Sequence, residues 1–219
     1  MTSKWERWSP LAGVLAVAGM LIGFAITSGN PSTDDADEKI TSYYTSHSHQ
    51  VRGIISFFVF IVGILFLLLF LSALRSRLVA AEGGGGRLAA LAYGSGVASA
   101  AVWLGSIAFF TAPAVGTNDT GKLHLDPNTF RLTQDAAYEL WVSAVIVGAI
   151  VVWATSALAL RTRVLPRWFG WLGILVGVIQ LFAIVFIPVF VYWGWILVAA
   201  VLLALRPAGP RPAAVPPAA

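Results

Sequence analysis

Cysteine is absent from the sequence, which excludes disulfides, thiolate catalysis, iron–sulfur ligation and thiolate zinc sites. Charge is nearly as scarce. Only 11% of the 219 residues are Asp, Glu, Lys or Arg, against 58% apolar residues and a mean hydropathy of +0.82. So little polar surface cannot cover a water-soluble globule of this length, and an integral membrane protein is predicted. Charge is also missing at depth from the six apolar runs, residues 11–26, 53–74, 88–112, 136–160, 168–187 and 189–205, Glu139 standing only at the entry to the fourth. Proton pumps, ion-coupled transporters and intramembrane proteases need ionisable groups at depth, and a b-type cytochrome needs axial histidines there. The pattern speaks against all of these, and neither a catalytic residue nor a cofactor is expected.

What charge there is carries information about sidedness. The net charge is +4, but the cations stand at the ends of apolar runs rather than in a patch interleaved with exposed aromatics, so no nucleic-acid partner is expected. Arg161, Arg163 and Arg167 lie between the fourth and fifth runs. Short loops rich in Lys and Arg stay cytoplasmic. By that rule Lys4, Arg7, Arg75, Arg77, Arg87, Arg206 and Arg211 also fall inside, Lys39, Arg52, Lys122 and Arg131 fall outside, and of the acids only Glu6 and Glu82 are inside. The expected fold is all-α: a polytopic bundle of six transmembrane helices with both termini cytoplasmic, multi-pass in a bacterial cytoplasmic membrane. Residues 1–206 form its single domain, and the Pro/Ala-rich tail 207–219 is expected to be disordered. The first run resembles a cleavable signal peptide only loosely; Trp5, Glu6 and Trp8 before it favour a retained anchor. Trp5, Trp8, Trp168 and Trp171 should mark one membrane interface, and Trp141, Trp193 and Trp195 the other.

Two outer segments remain. In residues 29–52, Ser32 or Thr33 can cap a helix with an acidic first turn (Asp34, Asp35, Asp37, Glu38), and Ile40, Tyr43, Tyr44 and His47 follow at i, i+3, i+4 and i+7. This predicts a short interfacial helix on the outer face, its tyrosines at headgroup level. In residues 113–134, Asp126-Pro127 reads as N-cap and first helical residue, predicting a short helix before the fourth span. Small residues at Gly19/Gly23, at Gly173/Gly177 and throughout the third run (Gly94, Ser95, Gly96, Ser99, Ala100, Gly105) predict close helix contacts, with the third helix central in the bundle.

Three pieces now carry a resemblance: Ile40-x-x-Tyr43-Tyr44-x-x-His47 after the first run, Arg75-x-Arg77 with Glu82-Gly83 after the second, and Arg161-Thr-x-x-Leu165-Pro166-x-Trp168-x-Gly170-Trp171 before the fifth. With them the chain resembles small actinobacterial six-helix integral membrane proteins grouped as families of unknown function. The resemblance implies the architecture and carries no activity with it.

Polar and ionisable candidates are few. Gln180 is the strongest hydrogen-bonding side chain at depth and needs partners in hydrocarbon. The indoles of Trp103 and Trp153 should seek acceptors such as Ser99, Ser106 or Thr155. Outside, His47, His49, His124 and Asp126, with Asp135 and Glu139 nearby, are the one group able to hold a metal or perform acid–base work. His47 and His49 on one helix would point in nearly opposite directions. Arg131, Asp135 and Glu139 are spaced for an ion pair, while Arg52 and Arg131 could bind a lipid phosphate or an anionic ligand, with Tyr43 and Tyr44 as further ligand-binding candidates. The leading expectation is a non-catalytic accessory or scaffold protein whose partners are membrane lipids or a membrane protein. The alternatives are a small carrier or lipid-handling protein with a cavity near Gln180, and an outer-face metal-dependent enzyme built on the histidines.

Overall fold

A computed structural model of the chain describes residues 8–120 and 124–206. The tail 207–219 with Arg211, and Lys4, Trp5, Glu6, Arg7 and Lys122, lie outside the described residues. Those described are helical, with no strand among them. After a 3-10 turn at Ser9–Leu11 come α1 (Ala12–Thr27), α2 (Asp37–Thr45), α3 (His47–Glu82), α4 (Arg87–Thr120), α5 (Pro127–Thr162), α6 (Arg167–Gln180), a 3-10 turn at Ala183–Val185 and α7 (Ile187–Leu205). Among the described residues five helical stretches are long and apolar enough to cross a membrane: Ser9–Thr27, His47–Glu82, Arg87–Asp119, Pro127–Thr162 and Ile187–Leu205. The chain therefore has the make-up of a multi-pass membrane protein. The 14 residues of α6 reach only about 21 Å, short of the roughly 30 Å hydrocarbon core.

The membrane-length helices and α6 form a ring. α1 packs on α3, α3 on α4, α4 on α5, α5 on α6, α6 on α7, and α7 returns to α1. Small residues let helix backbones approach closely. A Cβ on Gly19 would stand 2.9 Å from the Cα of Gly63, and one on Gly63 would stand 3.1 Å from the backbone nitrogen of Met20. Four residues on, Ser56 donates its hydroxyl to the carbonyl of Gly23 at 3.0 Å. Gly13 closes the ring, facing Ala200 of α7 and Phe70 of α3, each 2.8 Å from where its Cβ would be. α4 is a ring member and not central: Ser95, Gly96, Ser99 and Ala100 face inward, whereas Gly94 faces outward with no heavy atom near its Cβ position.

Helix ends follow local chemistry. Gly83, at φ 62°, supplies the left-handed cap of α3. Both oxygens of Glu82 then accept the backbone N–H groups of Leu88 and Ala89 at 3.0 Å, satisfying the first turn of α4. Asp126 caps α5 as expected, accepting from the N–H of Thr129 at 2.8 Å, with Pro127 at the first helical position. No separate short helix follows it, however; α5 runs unbroken for 36 residues.

Other expected boundaries also moved. α4 continues past residue 112 with Pro113 inside it, to Thr120. The missing proline N–H is outweighed by packing, because Ala114 lies against Gly53 of α3 and beside Ile40, Tyr44 and Phe130. α2 begins at Asp37 with Ala36 at its N-cap, not at Ser32 or Thr33, whose stretch forms a turn closed by Asp35 accepting from the Ser32 N–H at 2.8 Å. The break before α7 is at residues 181–186 rather than at Pro188, which sits buried in the first turn of α7. Trp141, Trp193 and Trp195 are core residues, 8%, 2% and 2% exposed, and not an interfacial belt.

Candidate functional site

The two ends of the ring differ in chemistry. At one, Arg206 donates to the carbonyls of Arg163 (3.0 Å) and Val164 (3.2 Å), and Arg77 donates to the carbonyl of Arg206 at 3.3 Å. Arg75 lies over the ring of Tyr93, 5.4 Å from its centroid. Arg87 opens α4 on the same side, and Arg161, Arg163 and Arg167 flank the α5–α6 connection. This is the arginine end. The opposite, acidic end carries Asp34, Asp35, Asp37, Glu38 and Asp126 around α2 and the start of α5.

Most sequence-derived candidates at the acidic end hold a cap together. Arg131, on α5, reaches across to the segment before α2, donating to the carbonyls of Thr33 (2.9 Å) and Asp35 (3.0 Å) and to Oδ1 of Asp37 (2.8 Å). It therefore pairs with Asp37 and not with Asp135 or Glu139, and its Nε and Nη2 donors are engaged by the protein itself. Beneath it Ile40, Tyr44, Ala114 and Phe130 form a second small core. Tyr44 is buried there and not at a headgroup surface, and burial pushes its phenol well above the usual range. Tyr43 donates to Oδ1 of Asn30 at 3.0 Å and stacks on His49 with ring centroids 3.9 Å apart. Gln50 donates to the carbonyl of Tyr44 at 2.7 Å. Arg52 donates to the carbonyl of Ile26 at 2.8 Å, tying α3 to the end of α1, and remains solvent-facing.

The histidines are dispersed by these contacts. α2 ends at Thr45 and Ser46 is extended, so His47 opens α3 instead of continuing the face of Ile40 and Tyr44. His49 Nδ1 lies 3.0 Å from the carbonyl of Tyr43. His124 is exposed two residues before Asp126. Among the described residues no three His, Asp or Glu side chains gather closely enough to hold a metal ion. The carboxyl of Asp35 is held below its ordinary range by the Lys39 ammonium and then by the Ser32 N–H. That of Asp126 is held down by the backbone N–H of Thr129 and then by its hydroxyl.

In the interior, Gln180 is fully buried and donates to the carbonyl of Val145 at 3.1 Å, bridging α6 and α5, while its Oε1 has no partner among the described residues. Ser99 and Ser106 donate to the carbonyls of Ala144 (2.7 Å) and Ala137 (2.6 Å) on α5, so they are donors between helices and not acceptors for the indoles. Trp153 instead donates to the carbonyl of Ile174 at 3.3 Å and lies over Gly177. Among the described residues the indole N–H of Trp103 has no hydrogen-bond partner, nor have those of Trp141 and Trp193. These rings pack together, Trp141 against Trp193 at 5.8 Å edge-on and Trp103 against Trp193 at 6.2 Å. A crevice among Met20, Phe60, Ile64, Trp103, Ile107 and Trp141 is apolar and too small for a water molecule, and Gln180 does not line it.

Several working residues left no trace in sequence periodicity: Asn30 beneath Tyr43, Glu82 as a cap, and Tyr138, whose hydroxyl donates to the carbonyl of Ile184 at 2.5 Å. The face of Ile40 and Tyr44 was a signal of the second core, whereas nothing in the spacing around Phe130 marked it as their partner. No family model matches the chain, and no curated protein or solved structure matches it.

Proposed function

We propose that the protein is a non-catalytic accessory or scaffold protein of a bacterial cytoplasmic membrane, crossing it six times with the arginine end inside, and engaging a lipid or protein partner through its rigid acidic cap. One observation carries the non-catalytic reading. Among the described residues no Asp, Glu, His, Lys or Arg is buried; the buried polar side chains are seven hydroxyls of Ser and Thr other than at the helix ends, the hydroxyl of Thr27, and the amide of Gln180. Coupled transport and intramembrane acid–base chemistry both require charge at depth.

The sixth crossing is supported by height along α5. Gln180 bonds to Val145, but four residues later Ile184 already meets Tyr138. Tyr138 stands 23 residues above Arg161 on α5, about 35 Å at 1.5 Å per residue. That α6 and the residues after it cover a height comparable with a bilayer core, although the helix proper is short, supports reading them as a crossing. Sidedness rests on the distribution of arginine. The resemblance to the actinobacterial six-helix proteins points the same way.

The test is affinity purification of the tagged chain from native membranes in mild detergent, beside Arg131→Gln, which loosens the cap. A partner recovered at fixed stoichiometry with the wild type and lost with Arg131→Gln supports the proposal. A chain recovered alone in both preparations, with no bound lipid, overturns it. Because the chain lacks cysteine, single cysteines at Ser32 and Gly84 can report sidedness through an impermeant maleimide. Labelling of Gly84→Cys from outside the cell would refute the topology.

A further inference from the structure

The arginine end carries more positive charge than its own architecture uses. Arg206 and Arg77 serve backbone carbonyls, and Arg75 rests on Tyr93. The one described carboxylate at this end, Glu82, spends both oxygens on the first turn of α4. Arg87, Arg161, Arg163 and Arg167 are exposed, and among the described residues none of the four is within ion-pair distance of a carboxylate. The carbonyls of Arg163 and Val164 in the same loop accept from Arg206. Arg163 is also held at φ 59°, a left-handed conformation ordinarily given to Gly at a helix end. Such a conformation is unfavourable for a residue with a side chain, yet a guanidinium occupies it.

Beside these cations Trp168 and Trp171 are 56% and 66% exposed, and Leu172 and Leu175 continue the same outward surface of α6 into the apolar belt. Exposed indoles adjoining both cations and an apolar helix face match the headgroup boundary of a bilayer. A soluble acidic protein would not account for their continuity with the lipid-facing surface. We propose that Arg161, Arg163 and Arg167, with Arg87 alongside and Trp168 and Trp171 at the rim, form a binding surface for the phosphate headgroups of anionic membrane lipids. This rests on the membrane-bundle reading given above and names the lipid class that its cytoplasmic end takes. Guanidinium groups suit the task because each offers five donors to phosphate oxygens and keeps its charge at any physiological pH.

The test uses the full chain in mild detergent and native mass spectrometry, with phosphatidylglycerol and phosphatidylcholine of identical acyl chains as probes. The expected result is a preference of roughly tenfold or more for phosphatidylglycerol, falling as salt rises from about 0.05 to 0.5 M. The triple variant R161Q/R163Q/R167Q should lose that preference, R161K/R163K/R167K should keep most of it, and R52Q at the opposite end should leave it unchanged. Inorganic phosphate should not displace the lipid; displacement at millimolar concentration would identify a free-anion site and overturn the lipid assignment. Equal retention of the two lipids, or a preference indifferent to salt, would overturn it too, and both readouts use the wild-type chain, so a misfolded variant cannot mask the answer. Equal retention leaves the bundle reading standing, whereas a chain soluble without detergent or lipid would remove that reading itself.

Discussion

Adding one methyl group at Gly19 tests a close backbone-to-backbone crossing in the bundle. In Gly19→Ala the new Cβ would stand 2.9 Å from the Cα and 3.2 Å from the nitrogen of Gly63. Those are backbone atoms of another helix, so no side-chain rotation can relieve the contact and α1 must move away from α3 by several tenths of an ångström. Overpacking of this kind costs about 1–3 kcal/mol. Against it stands the helix preference of Ala over Gly, about 1 kcal/mol. Gly94→Ala makes the same chemical change in mid-helix where nothing lies within 4 Å of the new atom, so it isolates the second effect. The helix term cancels between the two variants, and Gly19→Ala should be less stable than Gly94→Ala by about 1–3 kcal/mol. Detergent-titrated unfolding followed by tryptophan fluorescence and circular dichroism measures the difference. If both variants shift the midpoint in the same direction by the same amount, the α1–α3 contact is not the close backbone crossing described above.

Arg131→Gln removes a charge-assisted contact to Asp37 and at least one of two bonds to loop carbonyls. With Arg131 partly exposed and water able to replace it, the cap should weaken by about 1–3 kcal/mol, read as faster hydrogen exchange at Ile40 and Tyr44 with α1 and α3 unchanged. The carboxyl of Asp126 is held below its ordinary range, so its stabilising effect is complete above the unfolded value near 4 and disappears as pH falls through the lower folded value. Exchange at the first turn of α5 should accordingly accelerate only in acid, and Asp126→Ala should abolish that pH dependence. Gln180→Leu deletes one bond to Val145 but also the unpartnered Oε1. Its effect on unfolding should stay below about 1 kcal/mol, whereas a large loss would mean that the amide has a partner not yet accounted for.

The apolar runs were legible because hydrocarbon length and charge exclusion act on single segments. Residues 11–26 and 189–205 coincide with α1 and α7 to within two residues. Features made between segments were hidden. Pro113 marks a helix end in isolation, and only the fit of Ala114 to Gly53 carries α4 through it. Arg131 has a carboxylate at i+4, and the nearer-looking partner lost to Asp37, 94 positions away in sequence, because the loop before α2 folds back over α5. Tryptophan misled for a related reason. An indole suits an interface and a core equally well, and nothing local separates Trp168, which faces outward, from Trp193, which is 2% exposed. The same ambiguity kept His47 on the face of Tyr43 and Tyr44 until the extended Ser46 ended the helix between them.

That α7 closes back on α1 bears on how the protein matures during synthesis. α1 can seat on α3 as soon as the second long helix is made, but the side of it bearing Gly13 must wait for Ala200, 187 residues further along the chain. Throughout that interval a seam stands open along the assembling protein. Insertion factors or proteolytic surveillance would find it there, and lengthening the delay, for instance with rare codons before α7, should lower the yield of finished protein more than the same delay placed between α3 and α4.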